Sequence, residues 1–196
     1  MPNHITNVIK FNSELKDKIV NKDGFVDFNV LIPMPPDSDT FCRGNLGNEE
    51  IKKYGKNNWY DWSIANWGTK WNAYEQSLWL SADVCTATFC TAWCYPDRWA
   101  ETLAKYGDFT LLYADEDTYT SNCGIVECID GALYEEHNLS DVERLALSFY
   151  VHKGDPKDEV DWLVNSGYSI STTLDEVYKN YTSILWKILP DGFELP

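Results

Sequence analysis

The chain has 196 residues, of which 44% are apolar and 15% aromatic, a composition too hydrophobic for an intrinsically disordered protein. Its formal net charge is −15, no uninterrupted apolar run reaches the roughly 20 residues that span a bilayer, and the N-terminal residues lack the features of a secretory signal. We therefore expect a cytoplasmic protein without a membrane partner, long enough to bury one core with or without a small appended subdomain.

The first sixty residues predict a strand, a short helix and an extended segment. Residues 5–11 show the two-residue alternation of a strand with one face inward. Ser13 is expected to cap a short helix that stops between Asn21 and Gly24. The apolar stretch DFNVLIPMPP that follows predicts an extended segment, because its prolines exclude a helix. Residues 37–57 predict a loop with at most one helical turn.

The middle of the chain predicts two helices and four strands. Asn58 is expected to cap a helix through a tryptophan-rich stretch, and Gly68 to end it in a left-handed conformation. Residues 71–93 predict an antiparallel hairpin. A second helix is expected to start near Pro96 and to stop at Gly107, followed by strands at FTLLYA and CGIVECI.

This order of elements indicates an α+β protein with a ferredoxin-like antiparallel sheet and helices on one face. After Asp130 the pattern becomes helical, and the predicted helix starts are Ser140 with Glu143, Thr173 with Glu176, and Asp155 before Pro156. We therefore expect residues 1–135 to form a ferredoxin-like domain with an inserted tryptophan-rich helix. Residues 136–196 are expected to form an acidic helical extension that packs on the sheet or forms a small subdomain.

The charge is distributed unevenly. Residues 1–96 hold 11 acidic and 9 basic residues, a net charge of −2, whereas residues 97–196 hold 20 acidic and 7 basic residues, a net charge of −13. An acidic second half repels the nucleic-acid backbone and favours partner proteins with a basic surface, in complexes that weaken as salt rises. The alternative is that the acidity only keeps the protein soluble.

The tryptophan-rich stretch is the first candidate site. Its indoles either pack in the core or form an aromatic platform for a base or a partner's side chain, helped by the positive charges of Lys52, Lys53, Lys56 and Lys70. The candidate ligand- or partner-binding residues are Trp59, Tyr60, Asp61, Trp62, Asn66, Trp67, Lys70, Trp71, Asn72 and Trp93.

Acidic residues form the second candidate site. Three adjacent acids follow the strand FTLLYA, where they form a solvated turn or bind a cation or a basic partner. The candidate partner-binding acids are Asp115, Glu116, Asp117, Glu135, Glu136, Asp158, Glu159 and Asp161. A catalytic divalent metal at the turn would need further oxygen ligands, for which Asp61 and Glu127 are the candidates.

The sequence gives no reason to expect a metal or another cofactor. The six cysteines contain no CxxC pair and the three histidines have no ligand spacing. Without an export signal, the cysteines are expected to be reduced and mostly buried. No glycine-rich phosphate loop, GxSxG or HExxH motif is present. We therefore predict no catalytic residues.

Several motifs resemble one family. They are MPNHITN at the start, FNVLIPMP, YGKNNWYDWSIANWGTKWNAY, TAW, and YADED followed by Asn122 and Gly124. Together they are similar to YubB-like proteins of phages and conjugative plasmids, over Met1 to about Glu135. The resemblance implies a ferredoxin-like domain from a mobile genetic element acting in bacterial cytoplasm, and the family has no established activity. Cys90 and Cys94 stand where the family usually has an acid and a serine.

Two hypotheses about function follow. The first is a non-enzymatic acidic interaction protein of a phage or plasmid that inhibits a host defence or nucleic-acid-processing protein. Mimicry of nucleic acid is one mechanism by which it could inhibit such a protein. The alternative is a single-stranded nucleic-acid or nucleotide-binding module that uses the tryptophans and lysines, which the charge of −15 disfavours. A metal-dependent enzyme is the third option. The oligomeric state is not predicted.

Overall fold

A single antiparallel sheet organises the fold. The computed structural model describes residues 3–35, 51–53, 58–117, 122–136 and 138–195. Within them, the strands are β1 (His4–Asn12), β2 (Tyr74–Leu80), β3 (Val84–Ala92), β4 (Phe109–Asp115), β5 (Cys123–Ile129) and β6 (Ala132–Glu136). They lie in the spatial order β2-β3-β1-β4-β5-β6, and each neighbouring pair is antiparallel.

Helices lie between β1 and β2, between β3 and β4, and after β6. They are α1 (Lys16–Ile19), α2 (Trp59–Trp67), α3 (Asp97–Leu103), α4 (Asp141–Val151), α5 (Pro156–Asn165) and α6 (Thr172–Ile188), with 3₁₀ turns at Ser13–Leu15 and Phe28–Val30. Among the described residues, no helix has both the length and the apolar character needed to cross a membrane.

The first four strands confirm the predicted ferredoxin-like α+β fold. They lie in the order β4-β1-β3-β2, and helices connect β1 to β2 and β3 to β4. This is the β-α-β-β-α-β arrangement of ferredoxin-like domains. β5 and β6 extend the sheet beyond β4.

β6 was not predicted, because the chain after Asp130 was interpreted as helical. The turn before β6 consists of Asp130 and Gly131, with φ of 52° and 78°. Asp-Gly is a preferred dipeptide for a tight hairpin turn with two positive φ angles, so the sequence did contain a signal for this strand.

The main core lies on one face of the sheet. Alternate residues of the strands, such as Ile9, Phe89 and Leu111, are fully buried there and share one cluster with Phe28 and Trp99. Side chains from α1, α2 and α3 complete this cluster, which places the helices of the first 135 residues on one face, as predicted. Apolar burial on this face is the main stabilising term of the fold.

The C-terminal extension packs on the opposite face. Leu112 and Ile125 share a buried cluster with Leu147 and Val151 of α4. A second cluster, which includes Leu174, joins α4, α5 and α6 to one another. Of the two predicted alternatives, the extension therefore packs on the sheet. The boundary between two folding units at residue 135 stays a prediction.

One local prediction was wrong. The segment predicted as extended contains the 3₁₀ turn Phe28–Val30, because the Oδ1 atoms of Asp27 and Asn72 accept hydrogen bonds from the N–H groups of Asn29 and Phe28 at 2.9 and 2.8 Å. Residues 37–57 were predicted as a loop with at most one helical turn; residues 51–53 are helical, which agrees with that turn, and the other residues of this range lie outside the described residues.

Two predicted helix caps were also wrong. Asn12 caps the first turn instead of Ser13, since its Oδ1 accepts from the N–H of Glu14. Ser171 caps α6 instead of Thr173, since its Oγ accepts from the N–H of Leu174 at 3.1 Å. The caps at Asn58 and Asp155 and the complete capping box of Ser140 are confirmed.

Candidate functional site

The tryptophan helix has well-defined ends. Asn58 Oδ1 accepts a hydrogen bond from the N–H of Asp61 at 2.8 Å, and α2 ends at Gly68, which has φ of 84°. A Cβ at Gly68 would lie 1.7 Å from Asp97 Oδ1, so both the conformation and the space require glycine. The turn at Gly68 directs the residues after it back toward the end of β3.

The tryptophans of this stretch divide between core and surface. Trp62 and Trp67 are 6% and 3% exposed, and their rings meet edge to face with centroids 5.4 Å apart. Trp67 Nε1 donates to the carbonyl oxygen of Ile32 at 2.9 Å, which satisfies its buried polar atom. Trp59 is partly buried against the same core. The core interpretation therefore applies to Trp62 and Trp67.

The exposed aromatic residues surround one lysine. Tyr60, Trp71 and Trp93 are 38%, 37% and 41% exposed. The Nζ atom of Lys70 lies 4.8 Å from the ring centroids of Trp71 and Trp93 and 5.9 Å from that of Tyr60. These distances are typical of cation–π contacts. We call Tyr60, Trp71 and Trp93 the aromatic cage.

Buried hydroxyl groups hold the segments that carry the aromatic cage. Ser63 Oγ of α2 donates to the carbonyl oxygen of Lys70 at 2.8 Å. Thr69 Oγ1 donates to the carbonyl oxygen of Ala92 at 2.9 Å and accepts from the N–H of that residue. Ser63 and Thr69 are fully buried, so the bonds tie α2, the turn and the end of β3 together away from water.

Three other candidates of the tryptophan stretch serve the scaffold. Asn72 Oδ1 accepts from the N–H of Phe28 at 2.8 Å, while its Nδ2 donates to Asp27 Oδ1 at 2.8 Å. Asn66 Nδ2 donates to the carbonyl oxygen of Trp62. Asp61 accepts from Asn58 Nδ2 at 2.9 Å. Their polar atoms are thus engaged in local structure.

The structure describes three of the four lysines that were predicted to help the tryptophans bind. Lys70 lies among the rings of the aromatic cage. Lys52 and Lys53 are exposed in the helical residues 51–53. Lys56 lies outside the described residues.

The acids at the end of β4 have two different roles. Asp115 is buried, and its carboxylate accepts from Asn3 Nδ2, Asn122 Nδ2 and the N–H of Asp117 at 3.4, 3.4 and 3.1 Å. It therefore fixes the strand end. Glu116 and Asp117 are exposed, and Glu116 Oε1 accepts a hydrogen bond from the N–H of His4 at 3.2 Å. Within the described residues, no group of three or more His, Cys, Asp or Glu side chains could hold a metal ion, which leaves Asp61 and Glu127 without a metal site.

The acids of β6 lie at its C-terminal end. Glu135 is exposed and accepts a hydrogen bond from the Tyr95 hydroxyl. Burial and this bond raise the pKa of Tyr95, so its hydroxyl stays protonated as the donor. Glu136 is the last residue of β6.

The acids of α5 accompany an exposed aromatic pair. Asp158 and Asp161 are exposed, and Asp161 forms an ion pair with Lys157, whereas Glu159 is partly buried. Trp162 is 56% exposed, and its ring stacks on that of Tyr168 with centroids 5.9 Å apart and planes inclined by 21°. We call Asp158, Asp161, Trp162 and Tyr168 the α5 surface.

Trp162 and Tyr168 were missed by the sequence analysis. Asp158, Asp161 and Trp162 are spaced three and four residues apart, which places them on one side of a helix, while Val160 faces the core. The spacing of Trp162 from two acids was therefore the signal that could have identified it.

A cluster of polar side chains near the start of β1 contains no activated nucleophile. His4 Nδ1 lies 3.0 Å from the Tyr74 hydroxyl, and the Cys90 thiol lies 4.0 Å from Thr6 Oγ1. Burial, with smaller contributions from Cys90 and nearby glutamates, raises the pKa of Tyr74 to about 12. Burial also raises the pKa of the Cys90 and Cys94 thiols, which keeps them protonated and poorly nucleophilic.

Comparison of the chain with protein-family models, curated proteins and solved structures finds no match. The resemblance to YubB-like proteins and the mobile-element origin that it implies therefore stay predictions.

Proposed function

We propose that this protein is a non-enzymatic interaction protein that binds a basic surface of another protein through the α5 surface. The observation that carries the proposal is Trp162, a large aromatic side chain that is more than half exposed between acidic neighbours on a helix. Tryptophan is among the residues that contribute most to protein interfaces when it becomes buried. A solvent-exposed indole stacked on a second exposed ring has the properties of such an anchor.

The acids around Trp162 favour a basic partner. Asp158 and Asp161 lie on the exposed side of α5, in the half of the chain that carries a net charge of −13. Lys157 forms an ion pair with Asp161, but the acids are in excess. An excess of one charge around an apolar anchor speeds the encounter with an oppositely charged surface and disfavours partners of the same charge. Nucleic acid is therefore a poor occupant of this surface, whereas a lysine- or arginine-rich protein fits it.

The proposed class of partner rests on the resemblance to YubB-like proteins. A protein of a phage or conjugative plasmid would meet host defence and nucleic-acid-processing proteins in bacterial cytoplasm. Those that bind nucleic acid carry basic surfaces, which an acidic protein can occupy by mimicry of the phosphate backbone. We propose inhibition of such a protein as the biological role.

The test is capture of partners from bacterial lysate by the full-length tagged protein and by two variants. Trp162→Ala removes the proposed anchor, while Trp186→Ala is the matched control, since Trp186 is 78% exposed on α6. We expect a basic protein to be captured by the wild type and by Trp186→Ala, and to be lost with Trp162→Ala. Equal capture by both variants, or no captured protein even at low salt, would contradict the proposal.

The alternative nucleic-acid-binding function has weaker support. Trp62 and Trp67 are buried, and the rings that remain exposed contact the ammonium of Lys70. Fluorescence of the tryptophans during an oligonucleotide titration at low salt tests it. A saturable change that disappears in the Trp93→Ala variant would support the alternative, and an unchanged signal would exclude it.

A further inference from the structure

We infer that the aromatic cage is a binding site for a methylated ammonium group, and that Lys70 occupies this site when the ligand is absent. The inference concerns residues outside the α5 surface and does not depend on the proposed function. It begins from the three rings of Tyr60, Trp71 and Trp93, which all lie within 6 Å of one Nζ atom. The geometry of a cation site is thus already present.

The rings come from separate elements that are fixed to one another. Tyr60 lies in the first turn of α2, Trp71 in the turn after Gly68, and Trp93 directly after β3. The buried hydroxyls of Ser63 and Thr69 join these segments. A site that is assembled before the ligand arrives loses less conformational entropy on binding.

The backbone at Trp93 is also held in place. Trp93 has a φ of 73°, which is unusual for a residue with a large side chain. Its N–H donates to the carbonyl oxygen of Asn3 at 2.9 Å, and its carbonyl oxygen accepts from Asn122 Nδ2 at 3.3 Å. Because Asn3 and Asn122 also bind the buried Asp115, the strained residue is anchored to the strand end.

The chemistry of the aromatic cage favours a methylated ammonium over a primary one. Within the described residues, the Lys70 ammonium has no hydrogen-bond acceptor and no carboxylate at ion-pair distance. A primary ammonium that enters from water must give up hydrogen bonds that ring faces replace poorly. A quaternary ammonium has no N–H group to satisfy and is recognised by ring faces alone.

Lys70 acts as a tethered competitor. Its side chain is a flexible four-carbon stem that can move into solvent, and it is only partly buried. Because the lysine is attached beside the aromatic cage, its effective concentration there is high, and an incoming ligand must displace it. Removal of the ammonium should therefore strengthen binding of an external methylated ammonium.

The experiment is a titration of the full-length protein with tetramethylammonium chloride at constant ionic strength, with sodium chloride as the compensating salt. Binding is read from the indole N–H resonances of Trp71 and Trp93 in ¹⁵N-labelled protein. We expect saturable shifts at these two resonances in the wild type and a several-fold tighter Kd in Lys70→Met. Lys105→Met, which removes another exposed positive charge, is the matched control and should leave the Kd unchanged.

Further variants and ligands sharpen the test. Tyr60→Leu should weaken binding, because it removes a ring of the aromatic cage while leaving an apolar side chain. A peptide with one trimethyllysine that binds more tightly than tetramethylammonium would assign the site to modified proteins, and equal affinities would assign it to free quaternary ammonium compounds.

Three results would overturn the inference. One is the absence of a saturable shift in both the wild type and Lys70→Met. Another is equal affinity of the wild type and Lys70→Met, because Lys70 would then not compete for the site. The third is a shift of the Trp71 and Trp93 resonances by an oligonucleotide but not by tetramethylammonium, which would assign the rings to base stacking.

Discussion

Asn72 illustrates how a single polar residue can organise distant segments. It was a candidate binding residue, yet its side chain joins the turn before β2 to Asp27 and to the N–H of Phe28. Asp27 in turn accepts hydrogen bonds from Asn29 and Asn21. Phe28, which directly follows Asp27, is part of the main core, so these hydrogen bonds fix the position of a buried aromatic residue.

Replacement of Asn72 by Ala should therefore destabilise the protein. The change leaves the N–H of Phe28 without its acceptor and removes a donor to Asp27, at a cost of about 1–3 kcal/mol in the free energy of unfolding. Urea denaturation measures this quantity. The control is Asn180→Ala at an exposed position of α6, which should change it by less than about 0.5 kcal/mol. Equal effects of the two substitutions would show that Asn72 has no scaffold role.

Ionisation of Asp27 makes the free energy of unfolding depend on pH, and the direction of this dependence follows from the pKa of its carboxyl. Burial of its carboxyl opposes ionisation, but the hydrogen bonds from Asn29, Asn72 and Asn21 together outweigh burial, so its pKa lies below the ordinary value of 3.8. A lowered pKa in the folded state stabilises the protein above that ordinary value, and this contribution disappears as the pH falls through the lowered pKa.

The matching variant is Asp27→Asn, which cannot ionise. Between about pH 5 and pH 2, the free energy of unfolding of the wild type should fall more steeply than that of Asp27→Asn. Urea denaturation at several pH values measures both slopes. Parallel curves would mean that Asp27 does not contribute to acid sensitivity.

At the scale of elements, α6 separates a real cap from an apparent one. Ser171 accepts the hydrogen bond from the N–H of Leu174, whereas Thr173 lies inside the helix. Ser171→Ala should lower the free energy of unfolding by about 0.5–2 kcal/mol, while Thr173→Ala should have an effect below about 0.5 kcal/mol. Thermal unfolding followed by circular dichroism distinguishes the two. A larger decrease in the free energy of unfolding with Thr173→Ala would indicate that Thr173, and not Ser171, caps α6.

Elements set by local chemistry could be predicted from the sequence. Asn58, Asp155 and the pair Ser140 and Glu143 define helix starts through hydrogen bonds within three residues. The turn at Phe28 could not be predicted in this way. It depends on Asn72, which lies 44 residues further along the chain, and local proline content alone therefore suggested an extended segment.

The aromatic cage was predictable only in part. Trp71, Trp93, Tyr60 and Lys70 were all candidates, because aromatic residues next to a lysine suggest binding of a flat or charged group. Their separation from the buried Trp62 and Trp67 was not predictable. Aromatic and polar residues alternate irregularly along this stretch, so its pattern does not indicate which side of α2 faces the core.

At the scale of the whole molecule, the sheet joins two apolar layers. The C-terminal helices contact its second face through Leu147, which is fully buried against Leu112 and Ile125. The extension therefore contributes to the same packed structure as the ferredoxin-like strands, while its outer side carries the acids and exposed aromatic residues of the α5 surface.

Leu147→Ala should destabilise both parts together. Loss of the buried side chain and the cavity left behind should cost about 2–5 kcal/mol. Tryptophan fluorescence and circular dichroism should report one coincident urea transition at a lower midpoint. Val164→Ala, at an exposed position of α5, is the control and should leave the midpoint nearly unchanged. Two separate transitions would show that the extension unfolds on its own.

The acidic half gives the whole molecule its predicted mode of recognition. Its net charge of −13 extends over 100 residues, so attraction to a basic partner should act before contact and depend on ionic strength. Trp162 would supply the apolar contact that persists when the charges are screened. The two contributions can therefore be separated by salt.

The most direct measurement is the Kd of the purified complex with the captured protein at ionic strengths of about 0.01 M and about 0.15 M, between which the screening length falls from about 30 to about 8 Å. We predict that the Kd rises at least about tenfold with salt. The rise should be smaller when Asp158 and Asp161 are both changed to Asn. A Kd that is independent of salt, or a captured partner that is nucleic acid instead of protein, would contradict recognition of a basic protein by the acidic surface.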